Sequence, residues 1–165
     1  MAYINVNREK EIAFEEIIKK YSLLITKVCY YFSGNASELK DLRQDVLLNI
    51  WTGWDKFRFE SKPSTWIYRV SFNTCITYRR KNKYRKNEVP LSNVLEIPDD
   101  SFDVEKYNEM HSLINRLSAE DKAMILMWLD GNSYETIAEV VGLKRNTVAT
   151  RLKRIKDKLV KMSNS

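Results

Sequence analysis

The sequence predicts an all-α protein, and three observations carry that expectation. Only four glycines and three prolines interrupt 165 residues. Few segments alternate at period two, whereas apolar residues recur at helical intervals almost throughout. Two of the prolines, Pro90 and Pro98, fall in an acidic stretch with Asp99, Asp100 and Ser101, which is linker chemistry. The chain therefore reads as two small helical domains, at 8–86 and 109–161, joined by an acidic linker at 87–108, with no internal repeats.

Each element has its own signal. Ile12, Ile17, Tyr21, Leu24 and Val28 repeat at helical spacing, and Gly34 with Asn35 stops that run. A second helix spans about Ser37 to Trp54, and a third, after the loop Phe57–Pro63, runs from about Thr65 to Lys83. Ser118, with Asp121 three residues later, marks a capping box for a helix Ala119–Leu129. Gly131 ends that helix, Ser133 caps the next, and Gly142 makes the turn before the last one. The first seven and last four residues are expected to fray.

Composition narrows the function classes. The longest purely apolar run, Ala123–Leu129, is far short of the roughly 20 residues a membrane helix needs. The N-terminus lacks the basic and then apolar pattern of a signal peptide, so the chain is expected in the cytoplasm, with no membrane insertion. Cys29 and Cys75 lie far apart inside apolar helical patterns and read as buried reduced thiols. The single histidine, His111, has no ligand-like neighbours, so neither a metal nor a cofactor is expected.

A net charge of +6 and a pI of about 9.2 suggest a polyanionic partner, and the charge is segregated. Residues 79–86 hold six cations in eight, and 144–161 hold eight against the single Asp157. The linker between them carries six acids and one lysine.

The segment SYETIAEVVGLKRNTVATRLKRIKDKL, from Ser133, reads as a helix–turn–helix. Ala138 is small where the helices cross, and Ile137, Val141, Leu143 and Val148 supply a shared core. Val148, Leu152, Ile155 and Leu159 form an apolar seam on the last helix. Asn146, Thr150, Lys153 and Arg154 fall on the opposite side, with Thr147 at its edge, where such side chains can reach base edges and phosphates. A solvated basic hairpin that binds nothing is the competing reading.

On the second helix, Leu39, Leu42, Val46 and Ile50 make a core stripe, and the opposite face carries Asp41, Gln44, Asp45, Leu48 and Trp51. That face is either a docking surface of apolar anchors ringed by carboxylates or is covered by a neighbouring helix. A catalytic pair at Asp41 and Asp45 lacks a histidine or metal partner. The third helix interleaves Trp66, Tyr68, Phe72, Tyr78 and Tyr84 with Arg69, Arg79, Arg80 and Lys83, a mixture suited to phosphates and unpaired bases. Trp66, with Ile67 and Val70, is expected in the core.

Three stretches, DLRQDVLLNIW, STWIYRVSFNTCITYRRK and LSAEDKAMILMWLDGNSYETIAEVVGLKRNTVATRLKRIKDKL, resemble in order regions 2.2, 2.3–2.4 and 4 of extracytoplasmic-function (ECF) sigma factors of the sigma-70 family. The resemblance covers about residues 9–160, and ESKPSTWIYRVSFNTCI looks most like members from Bacteroidetes. It implies a non-catalytic promoter-specificity subunit of RNA polymerase. Asp41, Leu42, Gln44, Asp45, Leu48 and Trp51 match the family surface that docks on the β′ coiled coil, with the β flap as a second polymerase contact. Arg69 and Asn73, with Arg79, Arg80 and Phe57, match the part that meets the −10 element, and the loop Phe57–Lys62 matches the pocket for a flipped base. The last helix would read the −35 element through Asn146, Thr147, Thr150, Lys153 and Arg154, with Tyr134 and Arg151 on phosphates. An anti-sigma factor is a further implied partner.

Within this pattern Lys144 stands where many members have a serine cap, which predicts a poorly capped or shifted recognition helix. The 22-residue linker reaches at most about 75 Å but averages about 26 Å. It joins two promoter elements without fixing their spacing. Alternatives are a response-regulator output domain, which needs a receiver ahead of the motif, a DNA-modifying enzyme, which needs a catalytic constellation, and a protein that binds only an inhibitor or scaffold.

Overall fold

In a computed structural model that describes residues 2–82 and 104–165, with side chains from residue 6 and, past the break, from residue 108, helix α1 runs Ala2–Phe32. The other helices are α2 (Ala36–Gly53), α3 (Pro63–Lys81), α4 (Val104–Asn115), α5 (Ala119–Leu129), α6 (Tyr134–Val141) and α7 (Arg145–Ser163). A 3-10 turn, Trp54–Lys56, follows α2. The described residues are thus helical, as expected. Up to residue 103 the expected linker lies outside them, as do Lys83 and Tyr84, and α4 begins inside the stretch read as linker. The expected fraying is not observed at the N-terminus, which is helical from Ala2, nor before Ser163 at the other end.

Local chemistry explains most boundaries. The Asn35 side chain accepts from the Glu38 amide at 2.9 Å, and the Glu38 carboxylate accepts from the Gly34 amide at 2.7 Å. This reciprocal cap starts α2. Pro63 opens α3 at a position where its missing N–H costs nothing. Ser118 and Ser133 cap α5 and α6 through the Asp121 and Thr136 amides. Gly142, at φ 72°, closes α6 in the left-handed conformation. Lys144 stands at the N-cap of α7 without a side-chain hydrogen bond, so the helix is poorly capped as expected, but it is not shifted and starts directly after, at Arg145.

In the first half, α1, α2 and α3 pack around Ile25, Leu42, Val46, Ile50, Ile67 and Phe72. Ile12 is exposed, and the inward stripe of α1 instead uses Phe14, Ile17, Ile18, Tyr21, Leu24, Ile25 and Val28. Arg43 of α2 reaches back to Thr26 and Ser22 of α1, and Asn49 reaches Thr74 of α3. Cys29 and Cys75 are both buried and reduced, and burial, then the neighbouring Cys29 thiol, pushes the Cys75 thiol upward.

In the second half, α7 lays Val148, Leu152 and Ile155 against α5 and α6. The middle of α5, from Lys122 to Met127, is buried on every side because it packs on α6 and α7 and also on α1 and α3. One hydrophobic cluster therefore runs through both halves of the chain.

Candidate nucleic-acid and polymerase interfaces

Burial of the seam on α7 forces the opposite side of that helix outward. Asn146, Thr147, Thr150, Lys153 and Arg154 are exposed, as their spacing predicts. The Thr150 hydroxyl donates to the Asn146 carbonyl at 3.0 Å, leaving its oxygen lone pairs toward solvent. Arg151 is different: its Nε donates to Asp121 Oδ1 at 2.7 Å, so in this conformation it braces α7 against α5. Tyr134 is partly buried beneath the Arg145 guanidinium, 5.5 Å from the ring centre. Arg145 in turn meets Glu135 at 2.6 Å, and that hydrogen bond holds the exposed Glu135 carboxyl below its usual range. Arg145 was missed at the sequence level, although it stands at the first position of the basic helix and would have been found from that place alone.

The α2 face divides. Asp41, Gln44, Asp45 and Leu48 are exposed, with Leu48 59% accessible. Leu42 is fully buried in the stripe beneath, so it cannot touch a partner and serves only to seat the helix. Trp51 is partly covered by α1. Its ring meets Phe14 edge-on with centroids 5.0 Å apart, and Lys10 Nζ lies 4.3 Å above it. A neighbouring helix thus takes Trp51, and Leu48 stays bare among carboxylates.

Beside α3, the loop aromatics form a cluster. Phe57 stacks on Trp66 with centroids 4.9 Å apart, Phe59 lies 4.6 Å from Phe57, and Trp54 borders both Phe59 and Trp66. Gly53 permits this, since a Cβ there would come 3.1 Å from the Trp66 ring. Phe59, 67% exposed, takes a φ of 57° that a bulky side chain adopts only under constraint. An exposed aromatic at a strained loop tip is suited to stacking on an unpaired base.

Along α3, Asn73 is exposed, Arg69 and Arg79 are partly exposed, and Arg80 is largely exposed. Tyr68 and Phe72 do not belong to a base-stacking surface. They are buried, nearly parallel to each other, and the Tyr68 hydroxyl donates to Asp130 Oδ2 at 2.6 Å. Alternation with cations marked them for DNA, but helical phase places them inward. Among the described residues no group of acids, histidines and cysteines could hold a metal, and no helix is long and apolar enough to cross a membrane. His111 packs between Tyr30 and Tyr31, and burial, then Lys122, lowers its pKa.

Comparison with known proteins identifies the family. The model of sigma-70 region 2 matches residues 17–85 and that of sigma-70 region 4 matches residues 107–159. ECF RNA polymerase sigma factor SigM of Mycobacterium tuberculosis is 24% identical over 91% of this chain and 76% of its own length. SigW of Bacillus subtilis is 28% identical over 94% of this chain and 91% of its own. The sigma factor RpoE of Bartonella quintana, solved with the anti-sigma factor NepR, superposes with a TM-score of 0.74 at 21% identity, covering 92% of this chain and 97% of that one. CnrH, solved with the cytosolic domain of CnrY, gives 0.69 at 18% identity, covering 93% and 89%. At those identities the two structures carry the fold alone. With both family regions matched in order, and relatives aligned over nearly the whole length, the chain belongs to the sigma-70 family as an ECF sigma factor, a non-catalytic subunit that directs RNA polymerase to promoters and into initiation.

Proposed function

We propose that separate surfaces of the chain divide this work. The exposed face of α2 docks on the β′ coiled coil of core polymerase through Asp41, Gln44, Asp45 and Leu48, with Trp51 at its margin. The C-terminal helices supply a second contact, with the β flap. Arg69, Asn73, Arg79 and Arg80 meet the −10 element. The aromatic loop with Phe57 and Phe59 receives a flipped base, and that capture drives melting without a nucleotide cofactor. Asn146, Thr147, Thr150, Lys153 and Arg154 read the −35 element in the major groove, with Tyr134 and Arg151 on its phosphates. The domain limits 8–86 and 109–161 and the acidic linker at 87–108 belong to the same proposal, as do action in the cytoplasm, a Bacteroidetes-type origin and control by an anti-sigma factor.

The observation that carries the division is Leu48, an accessible leucine ringed by Asp41, Gln44 and Asp45 on a helix whose other side is sealed. Solvation alone does not favour that arrangement, whereas a partner bringing cations and an apolar pocket does. The test is Asp41→Lys with Asp45→Lys. Both sites are exposed, so the helical spectrum and melting point should stay close to the parent's. Co-elution with core polymerase should disappear. A folded double variant that still co-elutes refutes the docking assignment.

A further inference from the structure

Two charged side chains meet at the rim of the α7 face proposed above for the −35 element, and neither belongs to its assigned contacts. Arg145 opens α7, and its side chain is 54% exposed. At about 100° per residue it stands one step round the helix from Asn146, on the side turned toward α6. Glu135 lies in the first turn of α6, and its Oε1 accepts from Arg145 Nε at 2.6 Å. The guanidinium also lies over the Tyr134 ring, 5.5 Å from its centre. A hydrogen bond and a ring face thus orient one long side chain from two directions.

Glu135 is placed by the fold. The Ser133 hydroxyl accepts from the Thr136 amide at 3.1 Å and donates to Thr136 Oγ1 at 3.0 Å, which fixes the first turn of α6. Gly142 turns the chain in the left-handed conformation, and Ile137, Ala138 and Val148 are buried where α6 meets α7. The two helix starts are therefore held side by side.

The partner of Nε decides what the rest of the guanidinium can do. One of its five N–H donors is engaged by Glu135, and the four on the terminal nitrogens have no partner among the described residues. Those nitrogens form the fork that matches O6 and N7 of a guanine. The Glu135 carboxylate also offsets the guanidinium charge, and a neutralised pair gains little from a phosphate, whose attraction comes from counterion release. Lys153 and Arg154 pair with no acid among the described residues and keep their full charge. Arg145 is thus suited to a base edge rather than to the backbone.

We infer that Arg145 reads a guanine in the −35 element and that Glu135 is the positioning residue that aims it. The inference rests on the −35 assignment above and adds to it a reader that comes from the meeting of two helices.

The test uses holoenzyme reconstituted from core polymerase and the full chain, initiating on a promoter library randomised across the −35 element, with the transcribed templates sequenced. Arg145→Ala, Arg145→Lys, Glu135→Ala and Glu135→Gln change exposed side chains, so their melting points should stay close to the parent's. The parent should favour guanine, on one strand or the other, about tenfold at one position. Arg145→Ala should erase that preference and leave the other positions as they were. Arg145→Lys should not restore it, because an ammonium lacks the fork. Glu135→Gln keeps an acceptor for Nε and should retain the preference, whereas Glu135→Ala should lose most of it. Both Glu135 variants free a cation and should steepen the salt dependence of promoter binding by about one counterion, a change that a merely structural pair would not produce. Arg145→Ala with every parental preference intact, an even loss across all positions, or a lost preference for a base other than guanine overturns the inference. So does guanine choice restored by Arg145→Lys, or Glu135→Ala that behaves as the parent does. A parent with no preference anywhere in the element counts against the −35 assignment instead.

Discussion

Lys122 gives the most quantitative test of how the two halves are packed. Its side chain is 4% exposed in a helix that is otherwise apolar along that stretch. The ammonium donates to the Tyr31 carbonyl and to Asn115 Oδ1. Burial, then repulsion from Arg79, lowers its pKa from 10.5 to about 8. The folded value lies below the unfolded one, so the unfolded chain retains this proton over a pH range in which the folded chain has lost it. Stability therefore rises with pH across that range. At about 1.4 kcal/mol per pH unit, the full effect is at most about 3 kcal/mol, with about 1.3 kcal/mol of it gained between pH 7 and pH 9. For a chain of this size that corresponds to a rise in Tm of about 4 °C.

The raised Cys75 thiol and Tyr68 hydroxyl act in the opposite direction, since each holds its proton longer when folded, and their contribution is lost as pH rises. Both groups persist without Lys122, and Lys122 itself, through its charge, holds the Cys75 thiol down, so the informative quantity is a difference that includes this coupling. Lys122→Met keeps the volume and helix preference of the site and removes the titrating group. Melting followed by circular dichroism at pH 7, 8 and 9 should show the parent gaining about 1.3 kcal/mol on the variant. A flat difference means that Lys122 is not buried between α1, α4 and α5, and the packing described above is then wrong.

Two further outcomes follow from the C-terminal half. Arg154→Ala should reduce initiation from promoters with an intact −35 element more than it reduces co-elution with core, and equal loss of both would contradict the reading of the exposed α7 face. Gly142→Ala meets no steric obstacle but must adopt a φ of 72°. It should cost about 1–2 kcal/mol and lower the melting point by several degrees, whereas an unchanged melting point would mean that the turn is not left-handed.

The elements most legible in the sequence were those with both a periodic stripe and a chemical terminus. Ser118 and Gly131 bracket α5, whose predicted span Ala119–Leu129 is the observed one. Leu39, Leu42, Val46 and Ile50 are all buried on α2, and Val148, Leu152 and Ile155 on α7. Signals were also present that the reading did not use. Asn35 and Glu38 form a cap written plainly in the sequence, and the run AMILMWL is apolar on every side, which marks a helix packed against more than one layer.

Other features were not legible, for physical reasons. Tyr68 shares its composition with a base-stacking surface, and only the phase of α3 against α1 and α5 sends it inward to Asp130. Asp130 meets Tyr68 and Lys27 across 62 and 103 positions, and no local pattern encodes which partners an acid finds at that range. Leu42 illustrates the same limit within one helix. It lies between Asp41 and Gln44 in a family docking motif, yet its 100° rotation from Asp41 places it in the core.

Run-off transcription with purified core polymerase, with and without this chain, on fragments of genomic DNA tests the central claim most directly. Discrete transcripts that begin at shared two-part promoters and appear only when the chain is added are the expected result. A core enzyme whose transcripts are the same with the chain present as without it would contradict the account.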